Sequence, residues 1–257
     1  MSNFSKWLDN IAPVEQPMAW FHNTDAHSLR SIFESGVCAT KDCKVFSESL
    51  LYLFYGRPAF RIDNKRFKKP GGSPVSMLFE MGIVRGGKRI YPFDTGAFHN
   101  KRLDSYMHPE MKMQDFEMHC NESTPRKHIA AMFGTNQNYL ISQAKEKKDI
   151  PDYSGVFEVS ALLKLLNEPL EDGTDDRVMA IELQIGTEIN VHEGLLKAVI
   201  YPDELTNAQW LNDFRKKCGN AVAFSEYECH HHKLATEYQV LLELKAKELQ
   251  RQLGLKL

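Results

Sequence analysis

Met18-Ala19-Trp20-Phe21-His22-Asn23-Thr24-Asp25 is the stretch on which the fold turns. Its four leading apolar residues, too few for a helix, read as a buried strand, and polar side chains capable of chemistry arrive at its end. A second run repeats the plan: Leu50-Leu51-Tyr52-Leu53-Phe54 is followed by Tyr55, Gly56, Arg57, Pro58, Ala59, Phe60 and Arg61. Ends of paired strands are where a rigid scaffold presents ligand-binding groups, because pairing fixes the backbone while side chains face an open crevice. A third run, Arg177-Val178-Met179-Ala180-Ile181-Glu182-Leu183-Gln184, reads as an apolar strand with a carboxylate in its middle. Buried strands seldom carry an isolated glutamate without a partner or a task. Together the three pieces point to an enzyme site.

Between the first two runs, Asp25 to Gly36 reads as a helix. Asp25 caps it, Leu29, Ile32 and Phe33 share a face, and Gly36 stops it. Phe4 to Asn10 is a short helix ended by prolines. Val75 to Phe79, Arg89 to Phe93, Val178 to Ile185, Ala198 to Tyr201 and Ala221 to Phe224 read as further strands. Residues 100–175 are mostly helical or irregular, with Pro125 to Phe133 and Ser160 to Leu166 as helices and Lys145 to Asp152 as a charged turn. A long helix covers Leu234 to Leu253, with Leu234, Tyr238, Leu241, Leu244 and Leu249 on one face. With no repeat or interdomain linker, this order predicts one α+β domain. Its core spans about 18–98 and 176–230, with a helical insertion over about 100–175 and the helix at 234–253.

The 257 residues suffice for an ordinary core, and a net charge of -2 excludes a global pull toward nucleic acid or acidic lipid. Five scattered cysteines without a C-x-x-C pair argue against a disulfide framework and a zinc knuckle. No run approaches the roughly 20 apolar residues of a membrane helix, and no signal peptide is recognisable. A cytoplasmic protein without membrane attachment is the expectation. Gly82 to Arg89 almost satisfies the phosphate-loop pattern, but Arg89 stands where Ser or Thr is needed and a strand follows, so it reads as a turn. Cys229-His230-His231-His232 has metal-binding residue types, yet consecutive side chains cannot all face one ion. Glu226, at the end of the Phe224 strand, is a second candidate acid. The basic loop Lys65-Arg66-Phe67-Lys68-Lys69 has the cations and ring that single-stranded nucleic acid favours, and is equally the composition of solvated surface.

The order of these pieces resembles the ADP-ribosyltransferase fold, most specifically the DarT-like family of nucleic-acid-modifying toxins. The resemblance rests on an H-x-T strand, here His22-Asn23-Thr24, followed by Leu29-Arg30-Ser31-Ile32-Phe33-Glu34-Ser35-Gly36. Leu53-Phe54-Tyr55-Gly56-Arg57-Pro58-Ala59 loosely echoes a second family motif. Arg177-Val178-Met179-Ala180-Ile181-Glu182 matches a late Arg-x-x-Ala-Glu strand, before Lys197 to Pro202. The chain departs at Gly56, at Pro58 directly after Arg57, and by one extra residue between Ala180 and Glu182. The likeness covers residues 18–205.

The resemblance implies a split mixed or antiparallel sheet and NAD as co-substrate. The catalytic pair would be Glu182 and Arg57, with Glu226 as alternative acid. Glu182 stabilises an oxocarbenium-like ribose, and Arg57 reaches the diphosphate, with Arg61 as its alternative. By the same resemblance His22 would bind a ribose hydroxyl, Thr24 or the backbone beside Asn23 would hold the nicotinamide amide, and Tyr55 would stack on the nicotinamide ring. The acceptor it implies is a nucleic acid, DNA or RNA, touched by Lys65 to Lys69, for a toxin or defence effector with a possible antitoxin or regulatory partner. Other readings are an NAD glycohydrolase, a protein-directed transferase, an RNA 2′-phosphotransferase with more arginines than are found here, and a non-catalytic module using the last helix.

Overall fold

Trp20–Asp25 forms a strand, β1, because its alternate side chains are received on both faces: Trp20 enters the larger core and Phe21 a smaller one. The computed structural model describes residues 1–59, 64–168, 176–229 and 235–255. Helix α1 (Asn3–Asp9) precedes β1, and α2 (Ala26–Ser35), β2 (Val37–Cys38), β3 (Lys41–Cys43) and β4 (Glu48–Tyr55) follow it. Helix α2 is capped as its sequence predicts, with Asp25 Oδ1 accepting from the Ser28 amide at 2.7 Å and Gly36 in the left-handed region at φ 76°. Next come α3 (Asn64–Phe67), β5 (Pro74–Phe79), a 3-10 turn (Met81–Gly86), β6 (Gly87–Tyr91) and α4 (Thr95–His99). Helices α5 (Thr124–Met132), α6 (Asn136–Leu140) and α7 (Phe157–Asn167) fill the insertion. The chain continues through β7 (Glu182–Ile185), β8 (Ile189–Asn190), β9 (Leu196–Pro202), α8 (Gln209–Cys218), β10 (Ala223–Tyr227) and α9 (Ala235–Gln252).

The main sheet runs β10-β9-β5-β1-β4-β7-β6, with β3 hairpinned onto β4 and β2 paired separately with β8. Only β10 and β9 are parallel among these neighbours, so the sheet is mixed and the architecture α+β. Leu51, Leu53, Tyr55, Leu183 and Ile185 point into the larger core. On the other face, Phe21, Leu78, Ala198 and Ile200 pack under Tyr238, Leu242, Ala246 and Leu249 of α9.

The pairing of β1 positions the site. It follows β5 along its whole length, from Trp20 opposite Phe79 to Asp25 opposite Pro74. It meets β4 only at Trp20 opposite Tyr55 and Phe21 opposite Phe54. Beyond that point β4 keeps β7 on its other edge, from Phe54 opposite Glu182 to Leu51 opposite Ile185, but has no further pairing to β1, and the sheet opens between β1 and β4. Where the two strands meet, the Gly56 amide donates to Ala19 O at 2.8 Å. Gln250 of α9, fully buried, completes the junction: its Oε1 accepts from the Ala19 amide at 3.0 Å and its Nε2 donates to Gly56 O at 2.9 Å. Gly56 sits at φ 74°, where a Cβ would come within 2.6 Å of Met18 Cε.

Five expectations are corrected. The first strand runs on to Asp25, because β5 supplies partners throughout, so His22 and Thr24 lie within it. Arg177 to Met179 form a 3-10 turn and the strand begins at Glu182; the run is apolar because the turn itself is buried, as at Val178, Ala180 and Ile181. The basic segment starts as helix α3. The strand expected at Ala221 to Phe224 spans Ala223–Tyr227, which places Glu226 inside it. Helix α9 turns Tyr238, Leu242, Ala246 and Leu249 inward, following the 3.6-residue period, and leaves Leu244 59% exposed. Among the described residues, no helix is long and apolar enough to cross a membrane.

Candidate functional site

A cleft of about 650 Å³ occupies the opening between β1 and β4. His22 and Thr24 of β1, Tyr52 and Phe54 of β4, Glu182 of β7 and Asp94 before α4 line it. Lys41 and Cys43 extend it along the β3 hairpin, and Phe67, Gly72 and Pro74 along the approach to β5.

Glu182 lies opposite Phe54 across the β4–β7 ladder, on the face turned away from the larger core. It is 1% exposed and held by three donors. Its Oε1 accepts from Thr95 Oγ1 at 2.7 Å and Gln184 Nε2 at 2.8 Å, and its Oε2 from the Thr95 amide at 3.2 Å. Burial raises its pKa from 4.5 to about 8; neighbouring Asp94 adds to the rise, and the three hydrogen bonds oppose it. Asp94 caps α4 through Gly96 N at 2.9 Å and pairs with Arg177 at 3.0 Å. Arg177 is therefore engaged by Asp94, and among the described residues no cation forms an ion pair with Glu182, which faces the cleft.

His22 Nδ1 lies 2.9 Å from the Tyr52 carbonyl, across the opening of the sheet. A carbonyl only accepts, so Nδ1 carries the proton and Nε2 is left as an acceptor. Burial lowers the pKa of His22 to about 4, despite the Tyr52 hydrogen bond, and Lys41 lowers it further; the ring is neutral at pH 7. A neutral imidazole acceptor and a carboxyl that becomes a carboxylate as pH rises through about 8 thus share one crevice. Such a pair can hold the hydroxyls of a sugar and stabilise positive charge on its ring.

The other predicted residues distribute unevenly. Thr24 is in the cleft wall, and so is Asn23, whose amide is engaged: Nδ2 donates to Ala59 O at 2.6 Å and Oδ1 accepts from Ser76 Oγ at 2.6 Å. Tyr55 is absent from the cleft. It points into the larger core, 4.9 Å from the Trp20 ring, and its hydroxyl accepts from the Met18 amide at 2.9 Å. Tyr52 and Phe54, on the opposite face of β4, are the cleft's aromatic residues from that strand. Arg57 also lies outside the lining: Nη1 donates to Ser142 Oγ at 2.9 Å, and the guanidinium sits 5.1 Å from the centre of the Tyr139 ring.

Phe67 reaches the cleft wall, packed 4.7 Å from Tyr238, while Lys65, Lys68 and Lys69 beside it are exposed. Arg61 and the Arg66 side chain lie outside the described residues. Glu226 stands apart from the cleft on β10, accepting from Thr206 Oγ1 at 2.7 Å. Among the described residues no His, Cys, Asp and Glu group could hold a metal ion, and His230, His231 and His232 are outside them.

Sequence reasoning missed Lys41, Tyr52, Asp94, Thr95 and Gln184. Only Tyr52 had a readable signal, because it shares the parity of Phe54 and not of Leu51, Leu53 and Tyr55. No protein-family model matches the chain, and no curated protein matches it.

Proposed function

We propose that this protein is an NAD-dependent ADP-ribosyltransferase whose reaction takes place in the opening between β1 and β4. The observation that carries the reading is Glu182, a buried carboxylate supported by three donors, sharing that opening with the acceptor nitrogen of His22. The sheet that splits where β1 leaves β4 supports the ADP-ribosyltransferase fold.

In the proposed reaction, the bond between nicotinamide nitrogen and ribose C1′ breaks, and nicotinamide leaves neutral with the bonding electrons. Positive charge spreads over the ribose ring, where the Glu182 carboxylate stabilises it. An acceptor nitrogen or oxygen then bonds to C1′ and gives up its proton. Oε2 of Glu182 is the base for it. His22 Nε2 accepts from a ribose hydroxyl, and Tyr52 or Phe54 takes the stacking role first assigned to Tyr55. Lys41 is the exposed cation of the cleft lining and takes the diphosphate. Arg57, held by Ser142 and Tyr139, is left to fix the segment after β4.

A nucleic-acid acceptor, DNA or RNA, is supported by Phe67 in the cleft wall beside exposed Lys65, Lys68 and Lys69. A ring to stack one base and cations for its flanking phosphates are what a single strand needs. The test is nicotinamide release by wild type and Glu182→Gln, with single-stranded DNA, RNA or lysate protein as acceptor. Release that labels a nucleic acid and disappears in the variant is the expected result. Release without labelling identifies a glycohydrolase, and labelled protein identifies a protein-directed transferase. No release from folded wild type under any condition overturns the reading.

A further inference from the structure

The geometry points to Arg89 and Gln184 as positioning residues for Glu182: Arg89, from outside the cleft, locks the Gln184 amide so that its NH₂ faces the carboxylate. Gln184 is fully buried, two residues along β7 from Glu182 and on the same face. Its Nε2 donates to Glu182 Oε1 at 2.8 Å and to Thr95 Oγ1 at 3.1 Å. Thr95 Oγ1 uses its own proton on Glu182 Oε1. Both Gln184 amide hydrogens therefore point inward.

What prevents the amide from turning over is on its other side. Arg89 Nε donates to Gln184 Oε1 at 2.9 Å. A guanidinium has no acceptor, so Gln184 must keep its oxygen toward Arg89. Arg89 is itself held by an ion pair with Glu48, which also takes Lys88, and its guanidinium stacks 4.2 Å from the centre of the Phe46 ring. The chain of contacts is directional: Glu48 accepts from Arg89, Arg89 donates to Gln184, and Gln184 donates to Glu182.

This alignment belongs to the regular β6–β7 register, in which Tyr91 faces Glu182 and Ile90 faces Leu183; a β-bulge follows directly beyond it. Gly87 lies opposite Ile185 and Arg89 opposite Gln184, so Lys88 is the extra residue on β6. Gly87 allows the close approach, because a Cβ there would come within 2.4 Å of Cys120 Sγ and 2.6 Å of Leu183 Cδ1. The Gly86-Gly87-Lys88-Arg89 stretch that imitates a phosphate loop in sequence is thus a bulged entry to β6 that leads into Arg89 opposite Gln184.

The consequence is chemical. With two donors on Oε1 and one on Oε2, an ionised Glu182 has acceptor capacity left on Oε2, the oxygen available to substrate. A flipped amide would set its oxygen against Oε1 and favour the protonated carboxyl. Other titratable or charged groups around Glu182 are Asp94, itself on Arg177, the phenols of Tyr52 and Tyr91, and neutral His22. The Tyr91 hydroxyl donates to Glu117 at 3.0 Å.

The relay serves the proposed reaction, but its test needs no NAD. The Glu182 carboxyl is titrated by carbon-13 NMR in wild type, Arg89→Met, Gln184→Leu, the double variant and Arg89→Lys. Losing a hydrogen bond to the charged form raises the midpoint, by about one pH unit in each single variant. The double variant moves no further than Gln184→Leu, since Arg89 acts through the amide, and Arg89→Lys, which still donates, stays near wild type. An unmoved midpoint in Arg89→Met overturns the proposal. So does an additional upward shift in the double variant, which would reveal a direct charge effect. Should Arg89→Met fail to fold, Arg89→Lys compared with Arg89→Gln in wild-type and Gln184→Leu backgrounds asks the same question. Nicotinamide release, measured separately, tests the reaction and leaves the relay to stand or fall alone.

Discussion

Glu182 carries a pH signature in stability and, under the proposed reaction, in turnover. Its folded-state pKa of about 8 lies above the ordinary 4.5, so the folded protein holds the proton more tightly than the unfolded chain. Its contribution to stability is complete below about 4.5 and is lost as pH rises through 8. Glu182→Gln escapes that loss. Its melting temperature should gain on wild type between pH 5 and pH 9, by about 3 °C or more, in thermal scans at both pH values. In the proposed reaction the same ionisation would govern turnover: kcat/KM for NAD should rise with pH to a plateau above 8, while Glu182→Gln should lose about 10²-fold or more in kcat. A pH-independent kcat/KM between 6 and 9 would contradict this role. His22 has the opposite sign. Its pKa is lowered from 6.5 to about 4, so the stability it contributes is intact above 6.5 and lost as pH falls toward 4.

The elements that bound the cleft make separable predictions. Lys41 sits on the β3 hairpin, outside the three donors of Glu182. Lys41→Ala should raise KM for NAD about tenfold and leave kcat within about twofold, a split read from initial rates. Tyr139 of α6 joins two strands at once: its hydroxyl donates to Tyr55 O at 2.9 Å and accepts from the Ile181 amide at 3.1 Å, one residue before Glu182. Tyr139→Phe leaves both buried groups without that hydroxyl and should cost about 1–3 kcal/mol in denaturant unfolding. Legibility also divides by element. The Asp25 cap, Gly36 stop and apolar face of α2 are local chemistry, and they were readable one residue at a time. The role of Tyr55 was misplaced because a motif was aligned without the alternation of β4, which gives Leu51, Leu53 and Tyr55 to the core. Asp94 and Thr95 had no local signal, since their approach to Glu182 joins segments 87 to 88 residues apart. The buried turn at Val178 read as strand because burial, and not pairing, made it apolar.

Across the whole molecule, the α+β class followed from the order of apolar runs, whereas the opening of the sheet did not. Pairing is a long-range property, and nothing in β1 or β4 alone states that they part after Phe21 and Phe54. Gln250→Leu should test that junction. It leaves the Ala19 amide and Gly56 carbonyl without side-chain partners, and should lower stability by about 1–3 kcal/mol in denaturant unfolding. The junction also has a position in time. Gln250 follows Gly56 by 194 residues and Ala19 by 231. At synthesis rates of about 5–20 residues per second, both strands exist for roughly 10 to 40 seconds before the amide that ties them together is made, and Glu182 for roughly 3 to 14 seconds. The nascent chain therefore passes through a period in which every group of the cleft is present and the junction at its end is still untied.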